Sequence, residues 1–209
     1  MFEIEPAHLV RILDLLGTIV FGISGGVLAI RKKLDMFGVI VLALCAGLAG
    51  GVFRDLVIGA SPPKAFQHGE FAFAAMSGGL LAFFALPLFS KLERPIFILD
   101  AMGLGLFAVS GCSIALSAGL APMASIVLGV ISAIGGGIVR DVLVGRVPVV
   151  FITGDIYAFA ALGGASLYFG LLKLEISELI ASILAVLFVF FLRVFSVRFK
   201  WKAPTSPWQ

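Results

Sequence analysis

Apolar positions fall in seven long stretches, at residues 9–30, 36–59, 68–89, 96–118, 122–145, 154–172 and 176–197, parted by short polar breaks. Each comes near the length of about 20 mostly apolar residues that a helix needs to cross the roughly 30 Å hydrocarbon layer of a bilayer. The short alternating segments of an outer-membrane barrel are missing, so helices are the other way to satisfy the backbone in lipid. The pattern predicts an all-α membrane protein of seven transmembrane helices in one membrane domain, residues 1–209. Composition points the same way: 61% of residues are apolar and 13% charged, where soluble domains carry about 25% charged residues. Glu3 and Glu5 make the N-terminus acidic and no small-residue cleavage site follows, so residues 9–30 read as a first span rather than a signal peptide. Cys45 and Cys112 fall inside predicted helices and read as small buried apolar side chains.

A shift of 86 positions lays residues 14–79 on 100–165 without a gap. It pairs Asp14 with Asp100, Gly17 with Gly103, Phe21 with Phe107 and Ser24-Gly25 with Ser110-Gly111. It also aligns Gly50-Gly51-Val52-Phe53-Arg54-Asp55 with Gly136-Gly137-Ile138-Val139-Arg140-Asp141, and Gly59 and Pro62 with Gly145 and Pro148. Apolar helices resemble one another by chance, but matched Gly, Pro, Arg and Asp at one displacement do not. Residues 9–89 and 96–172 are therefore two copies of a three-helix repeat, and 176–197 is a seventh helix without a mate. An odd number of spans per repeat makes the second copy enter from the opposite side, giving an inverted 3+3 pair, whose substrate path is expected between the halves.

Two clusters, Gly47, Gly50 and Gly51 in the second helix and Gly135, Gly136 and Gly137 in the fifth, cost roughly 1 kcal/mol of helix propensity per residue relative to Ala. They admit two readings: close helix packing through small residues, or helix breaks, with Gly47 and Gly135 at the break, beside an aqueous path. Arg54-Asp55 and Arg140-Asp141 follow, and an ionisable group in the bilayer costs at least about 2.5 kcal/mol, so it faces the interior or water. Helix neighbours point about 100° apart, so one of each pair is expected to line a path while the other braces a neighbouring helix. Asp14 lies near the expected depth of Arg54, and Asp100 near that of Arg140, which predicts two mirrored ion pairs; the competing arrangement is an Arg held by backbone carbonyls. Ser24 and Ser110 would either hydrogen-bond across helices or offer oxygen to a passing cation.

The net charge of +3 is mainly a topology signal. Arg31, Lys32, Lys33, Lys91, Arg94, Arg146, Arg198, Lys200 and Lys202 share one predicted face, and Lys64 and Lys173 the other, which puts the N-terminus outside and the C-terminus in the cytoplasm. Trp201 and Trp208 in the basic tail read as an interfacial anchor, with anionic lipid recognition as the other possibility. The seventh helix, rich in Phe188, Phe190, Phe191 and Phe195, is expected at the periphery with Arg193 snorkelling to the surface. With no soluble domain predicted, a nucleic-acid surface is not expected. His8 and His68 are isolated, no Cys cluster or His-Glu-x-x-His motif occurs, and neither a metal, a cofactor nor an enzyme is expected.

Two copies of Gly-Gly-x-x-Arg-Asp in a 3+3+1 chain resemble the prokaryotic TRIC family, the trimeric intracellular cation channels. The resemblance implies a homotrimer in a cell (inner) membrane, in contact with lipid. It implies one pore per subunit, lined by kinked second and fifth helices and passing K⁺ or Na⁺. On this chain the path residues would be Gly50, Gly51, Arg54, Asp55, Gly136, Gly137, Arg140, Asp141, Ser24 and Ser110, with Asp14 and Asp100 as braces. The lysine-bearing phosphoinositide segment of animal members has no counterpart here, so that regulation is not carried over. Related bacterial proteins are linked to glycine uptake, which leaves a small-amino-acid transporter as the second function; the residues alone do not separate the two. No Thr-Val-Gly-Tyr-Gly filter occurs, so any cation selectivity is expected to be modest.

Overall fold

The N-terminal helix α1 (Pro6–Arg31) starts with proline in its first turn, where a missing N–H costs nothing and the fixed φ suits a helix. α6 (Pro122–Leu143) starts in the same way. The computed structural model describes residues 5–85, 95–152 and 156–201. Glu3, Lys91, Arg94, Lys202, Trp208, the end of the third predicted span and residues 154–155 of the sixth lie outside the described residues.

Within them run eight α-helices and one 3₁₀ turn, with no strand. The others are α2 (Met36–Val57), the one-turn α3 (Lys64–Gln67), α4 (Gly69–Phe84), α5 (Pro95–Ser117), the 3₁₀ turn Val149–Phe151, α7 (Tyr157–Lys173) and α8 (Glu178–Arg198). α1, α2, α5, α6 and α8 are long and apolar enough to cross a membrane, and α4 is a shorter apolar helix. The chain is an all-α, multi-pass membrane protein, and large apolar side chains such as Phe37, Phe73, Phe84, Phe159 and Phe191 form its exposed surface.

The repeat is visible in how helices end. α2 and α6 are followed by Gly59 and Gly145 at φ 78° and 69°, and α1 and α5 by Lys33 and Gly119 at φ 59° and 84°. A left-handed residue there lets the next amide cap the last turn: Ala60 N donates to Asp55 O, and Arg146 N to Asp141 O, each at 2.9 Å.

The first helix of each repeat, not the second, occupies the centre. In α1 and α5, 72% and 78% of the apolar span is enclosed, against 33%, 44% and 33% in α2, α6 and α8. α1 and α5 cross at Phe21 and Phe107, whose rings stack with centroids 5.7 Å apart. Each ring lies over a glycine of the opposite repeat: a Cβ on Gly17 would come within 3.0 Å of Phe107, and one on Gly103 within 2.7 Å of Phe21.

α2 and α6 flank this centre and touch backbone to backbone. A Cβ on Gly50 would stand 2.1 Å from the carbonyl oxygen of Ser132, and one on Gly136 2.2 Å from that of Ala46. Both helices run uninterrupted through their glycines, so the expected unwound turn at Gly47 and Gly135 is absent. A Cβ on Gly47 would lie 2.9 Å from Thr18 O, and one on Gly135 3.1 Å from the Cα of Gly50. Close helix approach uses these missing side chains, and no backbone polar group has to be released.

α8 packs against α5 and α7 through Ala181, Ser182, Ala185 and Val189. Arg193 does not snorkel. It is buried, its guanidinium carbon 4.9 Å from the Tyr157 ring centroid and 5.2 Å from that of Phe97. Gly105, Gly163 and Gly164 let α8 come close, and the two ring faces receive the cation inside the protein.

Candidate functional site

Near the end of α2 lies Arg54, 1% exposed. Its Nη1 and Nη2 donate to Asp14 Oδ1 and Oδ2 of α1 at 2.8 and 2.9 Å, the bidentate fork that suits a guanidinium to a carboxylate. Nε and Nη2 also donate to Asp55 Oδ1 at 3.0 and 2.9 Å. Arg54 and Asp55 thus also meet each other, because the long arginine side chain folds back over its neighbour, while their outside partners differ: Asp14 for Arg54 and the Lys64 amide for Asp55. Asp55 Oδ2 accepts from the Lys64 amide at 2.9 Å and so holds the first turn of α3.

The second repeat rebuilds this arrangement at the end of α6. Arg140 forks onto Asp100 of α5, with Nη2 to Oδ2 at 2.9 Å and a short Nη1 contact to Oδ1. Nε and Nη2 reach Asp141 Oδ1 at 3.0 and 2.8 Å. Asp141 Oδ2 accepts from the Val149 amide at 3.3 Å. The mate of Val149 under the repeat is Pro63, which has no N–H, so Asp55 takes the next amide along, that of Lys64.

The serines join the halves. Ser24 Oγ donates to Asp100 Oδ1 at 2.9 Å and accepts from Arg140 Nη1; Ser110 Oγ donates to Asp14 Oδ1 at 3.0 Å. Each cluster is therefore completed by a hydroxyl from the other repeat. Removing one such hydroxyl, in Ser24→Ala or Ser110→Ala, is expected to cost about 1 kcal/mol, read as a thermal-unfolding shift in detergent of roughly 2–4 °C; no shift in either variant would mean that the serines are dispensable.

The glycine pairs divide the work. Gly50 and Gly136 face the opposing helix, whereas a Cβ on Gly51 would meet only the Arg54 guanidinium, at 3.5 Å, and one on Gly137 the Tyr157 hydroxyl, at 3.1 Å. Gly51 borders a space of about 10 Å³ beside Asp14, Thr18, Arg54, Phe71 and Phe107, room for about one water. Its mirror beside Asp141, Gly137 and Tyr157 has no room for water. Phe107 borders the first space, and Phe21 lies 3.9 Å from the Cβ position of Gly137, so the stacked phenyls stand between the two clusters.

On the face where α1 begins and α2 ends, a vestibule of about 870 Å³ leads down to Asp14 and Lys64, which border the small space as well. Its wall includes Arg11, whose guanidinium binds Glu70 at 2.7 and 2.6 Å. Thr18, Lys64, Phe71, Tyr157 and the vestibule residues other than Asp14 were not singled out as site residues from sequence; the repeat itself could have flagged Tyr157, the mate of Phe71. No group of His, Cys, Asp and Glu suited to a metal ion occurs among the described residues.

Each cluster sets two carboxylates against one guanidinium, between inverted repeats in a membrane. This is the build of an integral membrane transport protein. The structure is similar to the TRIC trimeric intracellular cation channel orthologue from Rhodobacter sphaeroides (TM-score 0.87, 32% identity, 92% of this chain and 98% of that one). It is also similar to a prokaryotic TRIC channel crystallised in 0.5 M KCl (TM-score 0.84, 31% identity, 93% and 98%). Among curated relatives, a UPF0126 membrane protein of Deinococcus radiodurans is 40% identical over 154 residues (73% of this chain, 72% of the relative). The UPF0126 inner membrane protein YadS of Escherichia coli K12 is 32% identical over 203 residues (94% and 96%). The family model described as "Glycine transporter" matches twice, over residues 11–87 and 97–173. The chain belongs to this family, the family of the prokaryotic TRIC channels.

Proposed function

We propose that the protein is a monovalent cation channel, passing K⁺ or Na⁺ through one path per subunit between the two inverted repeats. The observation that carries this reading is the pair of mirrored Asp-Arg-Asp clusters, each with one carboxylate more than it has guanidinium groups. That surplus favours a cation over an anion in a low-dielectric interior. Arg54, Asp55, Arg140 and Asp141, with Gly51 and Gly137 beside them, line the path; Asp14 and Asp100 brace the arginines, Ser24 and Ser110 tie the halves, and Gly50 and Gly136 set the helix spacing. On this reading the Phe21 and Phe107 rings, stacked with centroids 5.7 Å apart, close the path between the two clusters, and conduction requires them to part. All four interior aspartates are committed to arginine or backbone amides, an arrangement suited to an electrostatic path and not to acid–base catalysis.

The trimeric state of the solved relatives and the inner-membrane name of YadS support a homotrimer in lipid in a cell membrane. The basic residues support an outside N-terminus and a cytoplasmic C-terminus. A second reading, secondary transport of a small amino acid such as glycine, is favoured by the family's description.

The test is current from purified protein in planar bilayers under a KCl gradient, with Asp141→Asn beside it. Discrete steps with a cation-selective reversal potential, and an altered unitary conductance in the variant, are the expected result. Silence together with saturable glycine uptake into liposomes from the same preparation would overturn the channel in favour of the transporter.

A further inference from the structure

α8 has no partner in the repeat, so its first turn gives one mouth of the fold groups that the repeat does not copy at the other. Its first residue, Glu178, points a carboxylate into the wall of the large vestibule. Ser113 Oγ of α5 and Tyr168 Oη of α7 both donate to Oε1, at 2.9 and 2.8 Å. Tyr168 is fully buried and Ser113 is 5% exposed. Three helices thus meet on a single carboxylate oxygen, and no described hydrogen bond occupies Oε2. A glutamate that served only to begin a helix would not need two enclosed hydroxyls to hold it against a cavity.

We infer that Glu178 is a cation-recruiting site at this mouth, with Oε2 as the ligand atom and a hydrated K⁺ or Na⁺ as the ligand; the inference rests on the channel reading for its role in conduction. The vestibule lining carries three carboxylates, Glu5, Asp14 and Glu178, against Arg11 and Lys64, a formal charge of −1 with the histidines neutral. Arg11 is already matched by Glu70. Without Glu178 the lining is formally neutral, and Lys64 at the neck then faces an entering cation with only Glu5 and the Arg54-paired Asp14 to offset it. A concave, low-dielectric wall concentrates the field of such a charge and raises the local cation concentration. Because Glu178 lies at the vestibule end of α8, a helix without a mate in the repeat, the enrichment belongs to one direction of entry.

The test compares wild type, Glu178→Gln and Glu178→Asp in two measurements. In bilayers at about 0.02 M KCl, Glu178→Gln is expected to lower unitary current carried inward from the vestibule face by about twofold, with much less effect on current from the opposite face. At about 1 M KCl, where the screening length falls to about 3 Å, the difference is expected to vanish. Glu178→Asp, which keeps the charge, is expected to restore most of the current. Separately, wild type in detergent is expected to melt higher in KCl than in N-methyl-glucamine chloride of equal ionic strength, a gain that Glu178→Gln loses. A conducting wild type matched by Glu178→Gln at low salt in both directions overturns the site and leaves the channel standing. A silent wild type that keeps its K⁺-dependent stabilisation, lost in Glu178→Gln, keeps the site and overturns the channel. Loss of current equal at both salts, with Glu178→Asp no better, assigns Glu178 to folding alone and also overturns the site.

Discussion

Replacing Asp14 by Asn is expected to destabilise the protein by about 3 kcal/mol, because a buried ion pair is broken: the buried Arg54 guanidinium loses its bidentate carboxylate and is left with Asp55 alone. The loss falls at the low end of that class because Arg54 keeps two contacts to Asp55. Asn at this position also loses the charge that receives the Ser110 hydroxyl. The mirrored Asp100→Asn is expected to behave alike, since Arg140 keeps Asp141. For a chain of this size the shift in melting temperature is roughly 6–12 °C, measurable by thermal unfolding in detergent. A double-mutant cycle with Arg54→Met tests the pair: Arg54→Met alone leaves the Asp14 and Asp55 carboxylates buried together without their cation, so Asp14→Asn is expected to cost less in that background than in wild type. A coupling energy under about 0.5 kcal/mol would show that Asp14 and Arg54 do not depend on each other.

The second large effect is expected at the α2–α6 crossing. Gly50→Ala and Gly136→Ala each place a methyl group where a backbone oxygen already stands, at 2.1 and 2.2 Å. No side-chain rotation relieves such contacts; the helices themselves must separate, and overpacking of this kind costs 3 kcal/mol or more on the scale of about 1–3 kcal/mol for milder cases. Poor recovery of monodisperse protein and a melting temperature lower by roughly 6 °C or more are the expected result. Gly51→Ala is the internal control. Its Cβ meets nothing nearer than the Arg54 guanidinium at 3.5 Å, so it is expected to fold normally and to gain up to about 1 kcal/mol of helix propensity. If Gly50→Ala melted like wild type, helix spacing would not depend on this contact.

The ion pairs could be anticipated because two constraints act on the sequence alone: the cost of charge in lipid, and the depth implied by where each residue falls along its span. The sequence left Ser24 and Ser110 either hydrogen-bonding across helices or offering oxygen to a cation, with their partners open. Whether Ser24 meets Asp100 or Asp14 depends on how α1 and α5 cross, and the crossing depends on two phenyl rings settling over two glycines of the opposite repeat. The glycine clusters were ambiguous for a similar reason. A missing Cβ lowers helix propensity wherever it occurs, but whether that cost is offset by a neighbouring backbone, as at Gly50, or leaves a small space, as at Gly51, is a property of the neighbour. Arg193 was expected at the surface because an isolated helix offers its arginine nothing but water; the Tyr157 and Phe97 rings that receive it come from other helices.

The sequence by itself determined the all-helical membrane class, the inverted repeat and the family. Span length, the cost of charges in lipid and recurrence at one displacement are properties of order along the chain. Only the tertiary structure decided that α1 and α5 form the centre, that each Asp-Arg-Asp cluster borrows a serine from the other repeat, that α2 and α6 stay continuous while touching, and that Glu178 is clamped on a vestibule wall. These features arise from distances between residues far apart in the chain. In a bilayer, where the lipid is as apolar as the side chains, such contacts are selected by close packing and polar satisfaction between particular helices, not by hydrophobicity that a single strand of sequence displays.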